Sequence, residues 1–295
     1  MLTSDRPLRV AVLCSRRAPG LLYLLDADPG RGRSFQIACV ITSETGFADQ
    51  RAVEEHGVPV LTHPICAFYE SRSSKVYRDF VTRRAYDRAT VGLLDSYAPD
   101  LVLLDGYLYL LTSAMLEACP RRILNLHFSD LTIRRADRRP AYVGIHAVRD
   151  ALADGQAETS ATVHLVNDEP DGGAPLIRSW PYPVSPLVSR ARAWSATDML
   201  KAYAWAHQEW MIRGASGPLL SAALDLVRSG KVDLGALGDR DPATVLPWLL
   251  DERGRVTPPV GTKDLKCRNA EMQECTRAGR SNAEMHECGN AGTHW

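Results

Sequence analysis

The sequence contains no run of about 18 apolar residues, the length a membrane-crossing helix needs, and no apolar h-region follows Met1 to Pro7. These absences predict a chain without a membrane span or secretory leader, working in a reducing, cytoplasmic compartment where disulfides are not expected. Net charge is missing too. The 35 Lys and Arg balance 35 Asp and Glu, so bulk charge draws the chain toward neither nucleic acid nor an anionic membrane, and any such contact needs a local patch. Aromatics are few at 7%, yet 45% of residues are hydrophobic and 24% charged, which excludes a disordered, collagen-like or disulfide-stapled body. Of the seven cysteines, Cys14, Cys39, Cys66 and Cys119 lie in apolar or mixed contexts, where a buried thiol behaves as a small hydrophobe. Cys267, Cys275 and Cys288 crowd into the end of the chain.

What is present is alternation. At 295 residues the chain has room for one large domain or two modest ones. Short apolar, often β-branched runs predict strands at 8–14, 36–42, 58–61, 100–105 and 122–127, and a strand pair at 160–166 and 175–184 around the Asp-Gly-Gly turn at 171–173. Helical spacing predicts helices at 20–27, 48–56, 75–97, 113–118 and 145–153, and a mostly helical stretch at 196–229 interrupted from Gly214 to Pro218. At helical spacing there, Tyr203 and Trp205 are expected to pack, as is Trp194 just before it. The sum is an α/β protein with an open, mostly parallel twisted sheet of about seven strands flanked by helices, whose ligand site lies beyond the strand carboxyl ends.

Residues 239–265, punctuated by Pro and Gly, are expected to end the globular part, giving a catalytic body at 1–265 and a tail at 266–295. In the tail, Asn269 to Cys275 recurs as Asn282 to Cys288. Two copies are too few for a solenoid, and the spacing of Cys267, Cys275, Cys288, His286 and His294 does not match paired zinc ligands. The expected reading is a disordered extension and no metal site, with metal binding, a coding accident and a partner-binding tag as alternatives.

Three polar residues fall where such a sheet places chemistry. Asn125 and His127 end a predicted strand two residues apart, so their side chains share a face. An amide donor beside an imidazole suits oxyanion stabilisation with proton shuttling. Asp171 precedes two glycines, where a carboxylate can orient His127, raise its pKa or collect a proton. Taken alone, the same residues equally fit a satisfied strand-end pair and a turn aspartate.

Several blocks in order carry more information: Tyr86-Asp87, the segment Tyr97 to Tyr107, Arg122 to His127, Gly144 to Ala147, and Thr162 to Gly173, followed by Asp251 to Pro259. Together they resemble the folate-dependent formyltransferases, with a pattern most similar to the glycinamide ribonucleotide transformylases, over roughly 8–265. The resemblance implies a Rossmann-like formyltransferase fold and transfer of a formyl group from 10-formyltetrahydrofolate to the amine of a small, anionic acceptor through a tetrahedral intermediate. It implies that Asn125 binds the formyl oxygen, that His127 assists charge stabilisation and proton transfer, and that Asp171 holds His127 and accepts protons through water. It places the pterin against Asp105, Gly106, Tyr107, Leu108, Tyr109, Leu110 and Leu111 and against the loop containing Asn167 and Asp168. His146 and His164 also match family positions; His164 is expected to be structural, and His146 to cap a helix or line the substrate site. His56, His63 and His207 show no partner in sequence.

Two departures stand out. Where ribonucleotide-specific relatives have a glycine-rich phosphate turn after the first strand, this chain reads Cys14-Ser-Arg-Arg-Ala-Pro-Gly20. Pro19 lacks an N–H, leaving Arg16 and Arg17 to supply charge. The second is an insertion before Gly144 that carries Arg134, Arg135, Arg138 and Arg139, either a solvated loop or an electrostatic lid for the anionic acceptor. RNA is disfavoured as a partner because the tail is too short for a nucleic-acid domain. The competing readings are hydrolysis of the same donor, disfavoured by a first strand beginning at Leu8, and a non-catalytic folate-binding protein.

Overall fold

The computed structural model describes residues 6–75, 79–188 and 195–259. Trp194 and the tail residues Cys267, Cys275, Cys288, His286 and His294 lie outside them, as does the expected boundary at 265.

Strands β1 (Leu8–Cys14), β2 (Phe35–Thr42), β3 (Val60–Thr62), β4 (Leu101–Leu104) and β5 (Ile123–His127) are all parallel, in the order β5-β4-β1-β2-β3. Beyond β5 the sheet continues through β7 (Thr162–Leu165), antiparallel to β5, and β8 (Pro175–Arg178), antiparallel to β7. It ends at β10 (Trp248–Leu250), parallel to β8, and β11 (Val256–Thr257), antiparallel to β10. A separate pair joins β6 (Glu158–Thr159) to β9 (Tyr182–Pro183).

The alternation along β1 explains the layers. Val10 and Val12 pack into one core with Leu21 and Leu24 of α1 (Leu21–Asp26) and with Leu219, Leu220 and Ala223 of α7 (Thr197–Arg228). Ala11 and Leu13 point to the opposite core, beside Leu94 of α4 (Phe80–Asp95) and Met115 of α5 (Ser113–Ala118). Burial on both faces is what the continuous apolar runs require. The α4 N-terminus is fixed by Asp79, whose carboxylate accepts from Val81 N and Thr82 N. Among the described residues, α2 (Gln50–Glu55), α3 (Ile65–Glu70), α6 (Ala147–Ala153) and α8 (Leu234–Gly238) are further short helices of the body.

Several expectations are corrected. The seven expected strands are present, but β10 and β11 make the sheet nine-stranded, and they lie in the stretch expected to end the globular part. Strands of three and two residues are too short to show a period. The run 175–184 divides into β8 and β9, in different sheets. The interruption at Gly214 to Pro218 is absent: α7 runs unbroken through Pro218. The glycines there serve packing instead, since a Cβ on Gly217 would lie 2.3 Å from Tyr23 Cβ and one on Gly214 2.5 Å from Tyr182 Oη. Burial of Leu219, Leu220 and Ala223 outweighs the one bond Pro218 forfeits. Trp205, expected to pack, is exposed, as is Cys66, while Tyr203 is half-buried against His207.

Candidate active site

Strand β5 delivers Asn125 and His127 in alternation with Leu124 and Leu126, which turn into the hydrophobic core. Its antiparallel neighbour β7 sets His164 directly opposite Asn125, so the two side chains meet on one face. The β7–β8 connection then brings Asp171 back to them. Asp171 adopts φ 52°, and the backbone closes so tightly behind it that a Cβ on Gly173 would lie 1.6 Å from Leu165 O.

The four polar groups form one cluster. Asn125 Nδ2 donates to His164 Nε2 at 3.1 Å and to Asp171 Oδ1 at 3.3 Å. Leu165 O lies 3.1 Å from His164 Nδ1. A carbonyl only accepts, so Nδ1 carries the proton and Nε2 is free to accept from Asn125. His127 Nε2 lies 3.1 Å from Tyr142 O, and His127 Nδ1 lies 3.5 Å from Asp171 Oδ1. The second Asp171 oxygen accepts from Gly144 N at 2.7 Å. Segment 142–144 thus pins both the imidazole and the carboxylate, a role for backbone that no sequence pattern announces.

Electrostatics set the charge states. Burial lowers the His127 pKa and outweighs the upward pull of Asp171. Burial alone pushes Asp171 up, but the facing His127 ring and the hydrogen bond from Gly144 N oppose it, and the carboxyl is held well below the usual range. The resting cluster is an ionised carboxylate beside a neutral, buried imidazole. Among the described residues no group of three or more His, Cys, Asp and Glu side chains is placed to hold a metal ion.

Next to β5, the segment leaving β4 is anchored from behind by two residues of α4. Arg83 Nε and Nη2 donate to Leu110 O at 2.9 and 2.6 Å, and Nη2 also donates to Tyr107 Oη at 3.0 Å. Asp87 pairs with Arg83 at 2.8 Å and accepts from Thr112 N and Oγ1, both at 2.7 Å. Tyr107 and Leu111 face inward, whereas Leu108 and Leu110 are exposed. Tyr109 Oη donates to Glu44 Oε1 at 3.1 Å. Asp105 is buried and turned away from this surface, its Oδ2 accepting from Gly20 N at 2.8 Å. Gly106, at φ 74°, passes so close to the first turn that a Cβ would lie 2.3 Å from Arg17 O. In the loop after β7, Asn167 Oδ1 accepts from Glu169 N at 3.1 Å, and Asn167 and Asp168 both line a cavity of about 740 Å³.

That cavity also meets the arginine-rich insertion. Arg134 donates to Arg138 O and Pro242 O, both at 2.8 Å, and Arg135 donates to Ala141 O at 2.9 Å. Arg138 pairs with Asp241 at 2.5 Å and Arg139 with Glu169 at 2.9 Å. Arg16 pairs with Glu44 at 2.6 Å and Arg17 with Glu209 at 2.8 Å. These guanidinium groups are thus engaged within the chain. Of the remaining histidines, His63 stacks on Tyr86 and bonds Thr90, His207 bonds Thr159, and His56 pairs with Asp26. His146 caps α6 without a side-chain hydrogen bond to the helix.

A family model described as formyl transferase matches residues 8–189. The phosphoribosylglycinamide formyltransferase of Escherichia coli (strain K12) is 41% identical over 172 residues, 58% of this chain and 72% of that protein. The crystal structure of glycinamide ribonucleotide transformylase 1 from Symbiobacterium toebii aligns with a TM-score of 0.60 at 26% identity, covering 79% of this chain and 93% of that one. A formyltetrahydrofolate deformylase from Pseudomonas syringae pv. tomato str. DC3000 shares the fold, with a TM-score of 0.58 at 21% identity over 77% of this chain and 63% of its own.

Proposed function

The chain belongs to the formyl transferase family, and from that premise we propose that it transfers a formyl group from 10-formyltetrahydrofolate to the amine of a small-molecule acceptor, with Asn125, His127 and Asp171 as its catalytic set. The observation that carries this reading is the convergence of an amide and an imidazole, both from β5, on Asp171 Oδ1 of a distant loop, at 3.3 and 3.5 Å.

The donor supplies the formyl group. Its flat heterocycle is assigned to the segment 105–111, where Leu108 and Leu110 stand exposed on a backbone fixed by Arg83, the kind of surface such a ring needs. Asn125 uses its Nδ2 to stabilise the oxygen on which charge develops. Both Nδ2 hydrogens have partners at rest, and the longer bond, to Asp171, is the one exchanged for the new acceptor. His127 is held between two acceptors, Tyr142 O and Asp171 Oδ1, yet a neutral ring can donate to only one of them. It therefore gains both bonds on taking up a proton, so proton uptake by the imidazole is favoured as negative charge forms beside it. Asp171, ionised throughout, stabilises that imidazolium and orders the water through which the attacking amine's proton reaches the ring. Once the amine nitrogen is bonded to the formyl carbon, the bond from that carbon to the tetrahydrofolate nitrogen breaks and the imidazolium returns the proton to the departing nitrogen.

Hydrolysis of the donor needs the same three residues and differs only in the nucleophile. The purified chain is incubated with 10-formyltetrahydrofolate, with and without a panel of small amines. Tetrahydrofolate release only when amine is present, with formyl found on the amine, is the expected result. Release without amine assigns a hydrolase, and binding without turnover a non-catalytic protein.

A further inference from the structure

In open α/β sheets the turn from the first strand into the first helix is the usual seat of a phosphate, held by backbone N–H groups at the helix start. Here the chain supplies its own anion. Asp105, at the carboxyl end of β4, is 1% exposed and places Oδ2 2.8 Å from Gly20 N, immediately before α1. Two further donors flanking the turn are consumed and one within it is missing. Ser15 N donates to Gly106 O at 3.1 Å, Leu21 N to Ala18 O at 3.0 Å, and Pro19 has no N–H. Room is missing as well, because Gly106 presses against Arg17 O.

Charge points the same way. Arg16 and Arg17 are each neutralised, by Glu44 and Glu209. Asp105 remains, with Asp49 close enough to act on it electrostatically, so the turn presents an excess of carboxylates. Whether ionised or protonated, the Asp105 carboxyl occupies the Gly20 N–H, and above about pH 7 it also sets a negative charge against an incoming phosphate where relatives of this architecture offer donors.

We propose that Asp105 is a specificity-determining residue that closes the β1–α1 turn to phosphate, so that the acceptor is an amine recognised without a phosphate at this turn. The proposal rests on the transferase reading for the word acceptor, but its test does not. At pH 8, where the Asp105 carboxyl is ionised, ribose 5-phosphate, with ribose as the control, is titrated calorimetrically into the full-length wild-type chain and into Asp105→Ala and Asp105→Asn, with folding checked by circular dichroism. The wild type is expected to show no saturable binding. Both variants are expected to bind ribose 5-phosphate saturably, at least about fivefold tighter than the weakest binding the wild-type titration can detect, the smallest gain expected from removing one like charge at contact range. Asp105→Asn keeps the carbonyl acceptor for Gly20 N–H and decides the matter if Asp105→Ala does not fold. Saturable wild-type binding with ribose silent overturns the proposal, as does folded variant protein that binds no better than wild type. No formyl donor is used, so failure of the transferase reading appears only in the donor-consumption assay and is distinguishable from failure here.

Discussion

Asp171 Oδ1 stands 3.5 Å from His127 Nδ1 while Tyr142 O lies 3.1 Å from Nε2 of the same ring. The imidazole is bracketed by two groups that only accept, in surroundings whose burial favours its neutral form. Its geometry is that of the protonated state and its solvation that of the neutral one, a combination suited to a group that takes up a proton transiently.

The pH dependence of stability follows from these two residues. His127 has a lowered pKa in the folded chain, so below about 6.5 the unfolded chain binds more protons and stability falls with acid. Asp171 also has a lowered pKa, so its contribution is present above its unfolded value of about 4 and is lost at still lower pH. Melting temperatures from pH 8 to 5 should fall less steeply in His127→Gln than in wild type. Asp171→Asn should flatten only the portion below about pH 4.

Asp105 has the opposite sign. Burial raises its carboxyl to about 7, so between about 4 and 7 the folded chain holds the extra proton and stability declines as pH rises. Asp105→Asn should therefore gain on wild type across that window, by up to about 4 kcal/mol at pH 8, as read by urea unfolding. Equal stability differences at pH 5 and pH 8 would contradict the assignment.

Arg83 and Asp87 anchor the segment proposed to face the donor. Asp87→Ala leaves a buried guanidinium uncompensated and should cost about 3–5 kcal/mol of stability. Asp87→Asn keeps an acceptor for Thr112 and should fold. Its expected signature is a raised KM for 10-formyltetrahydrofolate with a smaller change in kcat, because the segment is loosened while Asn125, His127 and Asp171 stay in place.

The sequence makes the central sheet legible where strands are long and buried on both faces, as in β1, β2 and β4, because an unbroken apolar run has few other uses. It makes Asn125, His127 and Asp171 legible as residue types at strand and turn ends. The tertiary relations are not legible. Nothing local marks Tyr142 O or Gly144 N as partners of the cluster, or turns the Asp105 side chain to α1 and away from the segment that follows it. Pro218 shows the converse. A strong local breaker signal is overridden because Leu219, Leu220 and Ala223 are buried on the face it leaves intact.

Gly173 tests how closely the site depends on one turn. Its missing Cβ is what allows Leu165 O to pass, so Gly173→Ala should displace the β7–β8 connection and with it Asp171. Loss of activity with a lowered melting temperature is expected. Full activity at wild-type stability would show that the turn tolerates the change.

The most direct test uses Asn125→Ala. Formyl-labelled 10-formyltetrahydrofolate is mixed with an accepted amine and either wild-type or variant chain, and label on the amine is followed through a single turnover. Label transfer should slow about 100- to 1000-fold in Asn125→Ala, with an unchanged circular dichroism spectrum. Transfer at the wild-type rate by the folded variant would contradict the account.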